Sequence, residues 1–196
     1  AAIGILAALH ERDKSGQGQY IDIAMLDCQM AILENAFARF FATGEVPGPL
    51  GTRHPVATPF EAFQTADGFI VVAIMGGPVD QWPLFCAAIE RVDLIDDDRF
   101  LSGWSRVQHC DILEPLFNET MRRKTTTEWL HIFSGLGIAC GSVNNIRQVA
   151  MDPQVRHRQM VKDIAHPILG QVKSVNTPIK MSRTSPEIGS PAPELG

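Results

Sequence analysis

Within AALHERDKSGQGQYIDIAML, residues 7–26, the group Gly16-Gln17-Gly18 has the composition of a loop that cradles phosphate. That chemistry needs a strand before the glycines and a helix after them, because the free N–H groups of a helix N-terminus face the anion. The order here is reversed. Ile3, Leu6, Ala7 and Leu9 recur at helical spacing, the polar His10–Lys14 stretch suits a last turn, and Tyr20–Ala24 alternates like a short strand. Gly16 is therefore read as the left-handed residue beyond a helix C-terminus.

Other chemistry-bearing groups read as structural. Asp96-Asp97-Asp98 lacks the spaced oxygen ligands of a calcium loop and is expected to be a solvated turn that opens a helix. The six histidines form no i, i+4 pair, and Cys28, Cys86, Cys110 and Cys140 form no Cys-x-x-Cys, so no metal site is expected. Free thiols suit a reducing, cytoplasmic protein. Arg122-Arg123-Lys124 and Arg156-His157-Arg158 read as solvated helix ends. A net charge of -5 gives the chain no general attraction to nucleic acid or an anionic membrane, and its apolar runs are too short to cross a bilayer.

The elements that would position any site follow from periodicity. A second helix is predicted over 26–42, on the face of Leu26, Met30, Leu33, Phe37 and Phe41. Residues 43–59 are too dense in proline and glycine for a helix or central strand. A hairpin follows, Phe60–Thr65 and Phe69–Ile74 around Asp67-Gly68, its second strand apolar enough for burial on both faces and stopped at MGGP. Helices are then expected around Trp82–Ile89, over 105–123, and over 128–134 behind a Thr125–Glu128 capping box. Asn144 or Asn145 and Asp152-Pro153 cap two short helices, and two extended runs flank a turn at His166–Gly170.

Several stretches, in this order, resemble family III CoA-transferases, the CaiB/BaiF, formyl-CoA transferase-like class. They are IGILAALHERDKSGQGQYIDIAMLD, GTRHPVATPFEAFQTADGFIVVA, LIDDDRF, TTTEWLHIF, GIACGSVNNIRQVAMDPQVRHRQMV and PIKMSRTSP. The resemblance implies an α/β protein made of a Rossmann-like large domain and a smaller α+β domain with an antiparallel sheet and several helices. Residues 1–43 would end the large domain, 44–59 form the linker, 60–158 the small domain, and 159–196 the strands returning to the large domain. The chain, which opens without Met and ends in TSPEIGSPAPELG, is expected to be a fragment of a longer one.

The implied reaction moves CoA between carboxylic acids through an aspartyl-CoA intermediate. The nucleophilic aspartate would lie upstream of Ala1, and neither Asp22 nor Asp27 matches its motif, so no catalytic residue is assigned here. The implied ligands are coenzyme A as acyl-CoA and a carboxylic acid, with no metal, no nucleic acid and no membrane. The implied assembly is an interlocked homodimer or association with an N-terminal half. The Gly-rich loop of the family maps onto Gly48, Gly51, Thr52, Arg53 and His54, stiffened here by Pro49, Leu50 and Pro55. Arg53 is expected either to meet a CoA phosphate or substrate carboxylate or to be an exposed linker arginine, and His54 to be structural. An α-methylacyl-CoA racemase fragment is the alternative, although Ile74-Met75-Gly76-Gly77 lacks the glutamate such enzymes place there. A non-catalytic dimerisation module is the other. The apolar face of Ile3, Leu6 and Leu9 is expected to drive self-association, and a strictly monomeric chain at high concentration would oppose that.

Overall fold

The computed structural model describes residues 1–75, 80–186, 188, 190 and 191. The expected strand stop at Gly76-Gly77-Pro78 and part of the proline-rich stretch 184–196 lie outside the described residues. The chain divides into two compact units, Ala1–Gly51 and Thr52–Gly196.

The first unit holds α1 (Ala2–Ser15), α2 (Met25–Ile32) and α3 (Glu34–Thr43). Gly16 takes φ 73° and donates its N–H to the Arg12 carbonyl at 2.8 Å, with Arg12 and Lys14 in the last turn. The helix-to-turn reading of this stretch holds. The strand expected at Tyr20–Ala24 does not form. A ladder needs a second extended segment to supply N–H and C=O groups, and the described residues of this unit contain none. Ile21 and Ile23 lie against α1 instead, and a Cβ on Gly4 would come 3.0 Å from Ile23. The single helix expected over 26–42 breaks at Leu33, whose ψ of 18° leaves the helical range. None of the residues of these three helices is buried.

The second unit is built on a three-stranded antiparallel sheet in the order β1 (Phe60–Gln64), β2 (Phe69–Ala73), β3 (Ala139–Ser142). Phe63 pairs with Ile70, and Ile70 with Ser142. The central strand buries Ile70 and Val72 but leaves Phe69 48% exposed, so burial is complete on one face only. Between β2 and β3 come α4 (Trp82–Ala88), a 3-10 turn (Val92–Leu94), α5 (Gly103–Gln108), α6 (Cys110–Met121) and α7 (Thr126–Gly135). The helix expected over 105–123 is interrupted at His109, whose φ of -113° and ψ of 27° end α5. Asp96–Asp98 lies in a turn ahead of α5 rather than opening a helix, and Asp97 receives the Arg99 guanidinium at 2.7 and 3.0 Å.

Aromatic rings fill the core. Phe117 meets Phe85 edge-on at 5.2 Å and lies 6.0 Å from Phe63 and 6.3 Å from Trp82, while Phe85 stacks on Phe133 and Phe133 on Trp129. The Trp129 indole donates to the Met121 carbonyl at 2.8 Å, which satisfies the polar atom of a fully buried ring.

The Thr125–Glu128 capping box forms as expected, and so do the caps from Asn145 to α8 (Ile146–Met151) and from Asp152 to α9 (Pro153–His157). The hairpin turn is fastened to α7 by Asp67, whose Oδ1 accepts the Thr126 N–H at 2.8 Å and the Thr126 hydroxyl at 2.9 Å. These bonds hold the Asp67 carboxyl below its ordinary range. Gly68 permits the approach, because a Cβ there would lie 3.2 Å from Thr126 Oγ1. After α9, β4 (Val161–His166) and β5 (Gly170–Val175) pair with each other, Lys162 opposite Ser174.

Phe117→Ala is expected to destabilise this unit by roughly 3–5 kcal/mol and Thr125→Ala by about 1 kcal/mol, measured by chemical denaturation.

Candidate functional site

Gly48 is exposed and Gly51, at φ 63°, ends the first unit. Thr52, Arg53 and His54 begin the second. Thr52 Oγ1 accepts the Ala62 N–H at 3.2 Å, on the side of β1 that has no neighbouring strand among the described residues. His54 stacks on Phe60 with ring centroids 4.7 Å apart, and its Nδ1 accepts the Val56 N–H at 3.3 Å. The His54 backbone N–H donates to the Phe60 carbonyl at 2.8 Å, so this histidine fastens the approach to β1. Arg53 is partly buried, and its guanidinium donates to the Cys110 sulfur at the start of α6. It is neither the exposed linker arginine of the one expectation nor a guanidinium left wholly open to an anion.

Beside Arg53 lies an acidic residue that the sequence reading passed over. The two-residue repeat of β1 turns Glu61 to the same face as Phe63, leaving it 7% exposed, and its Oε1 has no hydrogen-bond partner among the described residues. On α6, Cys110 and Glu114 stand one turn apart on the row that continues to Phe117 and Met121. Burial pushes the Glu61 carboxyl up to about 7. The nearby Glu114 carboxyl adds to the rise, and the positive charge of Arg53 opposes it.

A Glu61 carboxyl raised in this way is partly protonated near neutrality. Such a carboxyl can donate a hydrogen bond to an oxyanion or exchange its proton with a bound acid. A visible signal was the parity of FEAF, which puts a glutamate on the buried side of a strand.

Cys28 is exposed, Cys86 is buried with its thiol pushed up to about 12 by burial, and all four cysteines are free. Among the described residues no three His, Cys, Asp or Glu side chains are grouped to hold a metal. Of Ile74-Met75-Gly76-Gly77, where a racemase glutamate was sought, Gly76 and Gly77 lie outside the described residues.

Residues 1–196 match CoA-transferase family III. The chain belongs to that family. It is 30% identical over 192 residues to the human succinyl-CoA:glutarate CoA-transferase, covering 98% of this chain and 43% of that protein. It is 32% identical over 195 residues to a succinyl-CoA:mesaconate CoA-transferase of Haloarcula hispanica, covering 99% of this chain and 48% of the relative. A CaiB/BaiF family protein from Brucella suis superposes with a TM-score of 0.81 at 28% identity, covering 98% of this chain and 49% of that one. The family III chain thus spans about half the length of the relatives it matches.

The Glu61 proton gives this family III chain a pH signature. A carboxyl with an ordinary value of 4.5 raised to about 7 makes the folded state bind more protons than the unfolded one between those values. Stability therefore falls as pH rises through that interval, by at most about 3 kcal/mol. Denaturation midpoints at pH 5, 6, 7 and 8 should decline for the parent chain, and Glu61→Gln should remove most of that decline. Parallel profiles for the two proteins would contradict this.

Proposed function

We propose that this chain supplies the small-domain part of an acyl-CoA:carboxylate CoA-transferase. The observation that carries the reading is the family match along residues 1–196 together with relatives that are CoA-transferases. The substrates are an acyl-CoA and a free carboxylic acid, with succinyl-CoA and glutarate or mesaconate as the first pairs to try.

In this reading an aspartate from a preceding segment of polypeptide attacks the acyl-CoA thioester. It passes through an anhydride and an enzyme-bound CoA thioester, and CoA then leaves on the second carboxylate. A carboxylate is a weak nucleophile, so the covalent relay divides one difficult exchange into easier ones, and its intermediates must be kept from water. The Gly48–His54 stretch is the candidate loop beside the substrate. The contacts of Thr52, Arg53 and His54 support a role in anchoring its C-terminal end, with Gly48 and Gly51 left as the bending positions. Assembly as an interlocked dimer in the cytoplasm belongs to the same proposal.

Transfer from succinyl-CoA to glutarate, followed by chromatography of the CoA esters, tests it. The 196-residue chain alone is expected to be slower by at least about a thousandfold than a full-length relative. Joining it to the preceding aspartate-bearing segment should restore transfer, and replacing that aspartate by asparagine should abolish it. A chain that transfers CoA unaided at the rate of a full-length relative would overturn the proposal.

A further inference from the structure

The sequence stretch Arg156-His157-Arg158 was read as a solvated helix end, and the structure gives two of these residues a setting that reading does not explain. His157 and Arg158 line a concavity of about 320 Å³ together with Lys162, Lys180, Asn176 and Gln159. The lining holds three cations, Arg158, Lys162 and Lys180, and among the described residues no carboxylate. Helix-dipole compensation accounts for cations in the last turn of α9 but not for Lys162 on β4 or Lys180 beyond β5.

The wall of this concavity is fixed. The α9 helix ends in a Schellman motif, with Gln159 N–H donating to Arg156 at 2.8 Å and Met160 N–H to Val155 at 3.1 Å. Gln159 occupies the left-handed position at φ 52°, where glycine is favoured. The buried side chain of Asn176 donates to the Gln159 carbonyl at 2.8 Å, and its backbone N–H donates to the Met160 carbonyl at 2.8 Å. The helix end is thereby locked to the end of β5. The same motif ends α4 at Glu90, φ 60°, where the retained side chain reaches Lys124 at 3.6 Å. At Gln159 the retained side chain lines the concavity.

The lysines of the hairpin divide by face. Lys173 pairs with Asp163 at 2.8 Å on one side. Lys162 lies on the other side with the buried Ile164, is itself half-buried, and forms no ion pair among the described residues. Like charges gathered around one hollow repel one another, and an anion that neutralises them is favoured there.

We propose that this hollow binds a diphosphate group. The charge of a diphosphate is close in magnitude to that of the three permanent cations, and the hollow is larger than one phosphate ion requires. Arg158 provides a planar fork for two oxygens, Lys162 and Lys180 provide point charges, and the Gln159 amide adds a neutral donor. The proposal requires no CoA transfer and stands independently of that activity.

Titration calorimetry with inorganic pyrophosphate at low salt tests it. Saturable binding is expected, at least about tenfold tighter than for orthophosphate and weakened by added sodium chloride. Lys162→Gln and Lys180→Gln should each weaken it by about tenfold, and Lys173→Gln, outside the hollow, by less than about twofold. Lys180 is exposed, so its variant keeps the test valid if Lys162→Gln fails to fold. ADP and CoA in parallel titrations distinguish a free diphosphate from one carried on a nucleotide, and either source satisfies the proposal. Absence of saturable pyrophosphate binding, or equal losses in all three variants, would overturn it.

Discussion

The packing of Phe117 is the constraint on which the second unit depends. Its ring is held among Phe63, Phe85 and Trp82, and so joins one face of the sheet to α4 and α6. Once that contact is made, the two-residue repeat of β1 brings Glu61 inward beside Phe63, and the helical repeat of α6 brings Glu114 and Cys110 along the row that Phe117 occupies. The polar cluster is a continuation of the apolar core toward the start of α6. It is positioned by hydrophobic contact, although its own chemistry is electrostatic.

That placement explains why a costly group is retained. A buried carboxylate in apolar surroundings is unfavourable unless paired, and at Glu61 the alternatives are to keep a proton or to lean on Arg53. Arg53 also donates to Cys110, so its guanidinium does not serve Glu61 alone. The family relationship covers all of the chain and about half of each of these relatives.

Legibility in the sequence tracked how local the cause was. Capping boxes, the Asp67-Gly68 turn and the glycine after α1 were readable because each is set by residues a few positions apart. The helix around Trp82–Ile89 was readable for the same reason, and its Trp82, Phe85, Cys86 and Ile89 are buried. Tyr20–Ala24 has the alternation of a strand, but strand formation depends on a partner that periodicity does not reveal. The reverse error concerns β3, where Ala139-Cys140-Gly141-Ser142 has little strand propensity and is recruited by the open side of β2. The Glu61 cluster was hidden because it joins residues far apart in the chain, although the parity of Glu61 with Phe63 was there to be read. Basic residues around α9 were seen as one local group, whereas the hollow they line needs β4 and the segment after β5.

The late arrival of β3 has a consequence for how the polypeptide matures. β2 is the centre of the sheet, yet the strand that covers its second edge lies beyond four intervening helices, at Ala139–Ser142. During synthesis the hairpin emerges first, with a row of unpaired backbone groups along β2 and with Ile70 and Val72 lacking their cover. Local turns and caps can form at once, but the sheet closes only after the loop between β2 and β3 has been drawn in at its entropic cost. Asp67 shortens that search: by grasping Thr126 across 59 residues it brings α7, and β3 directly after it, back to the waiting hairpin.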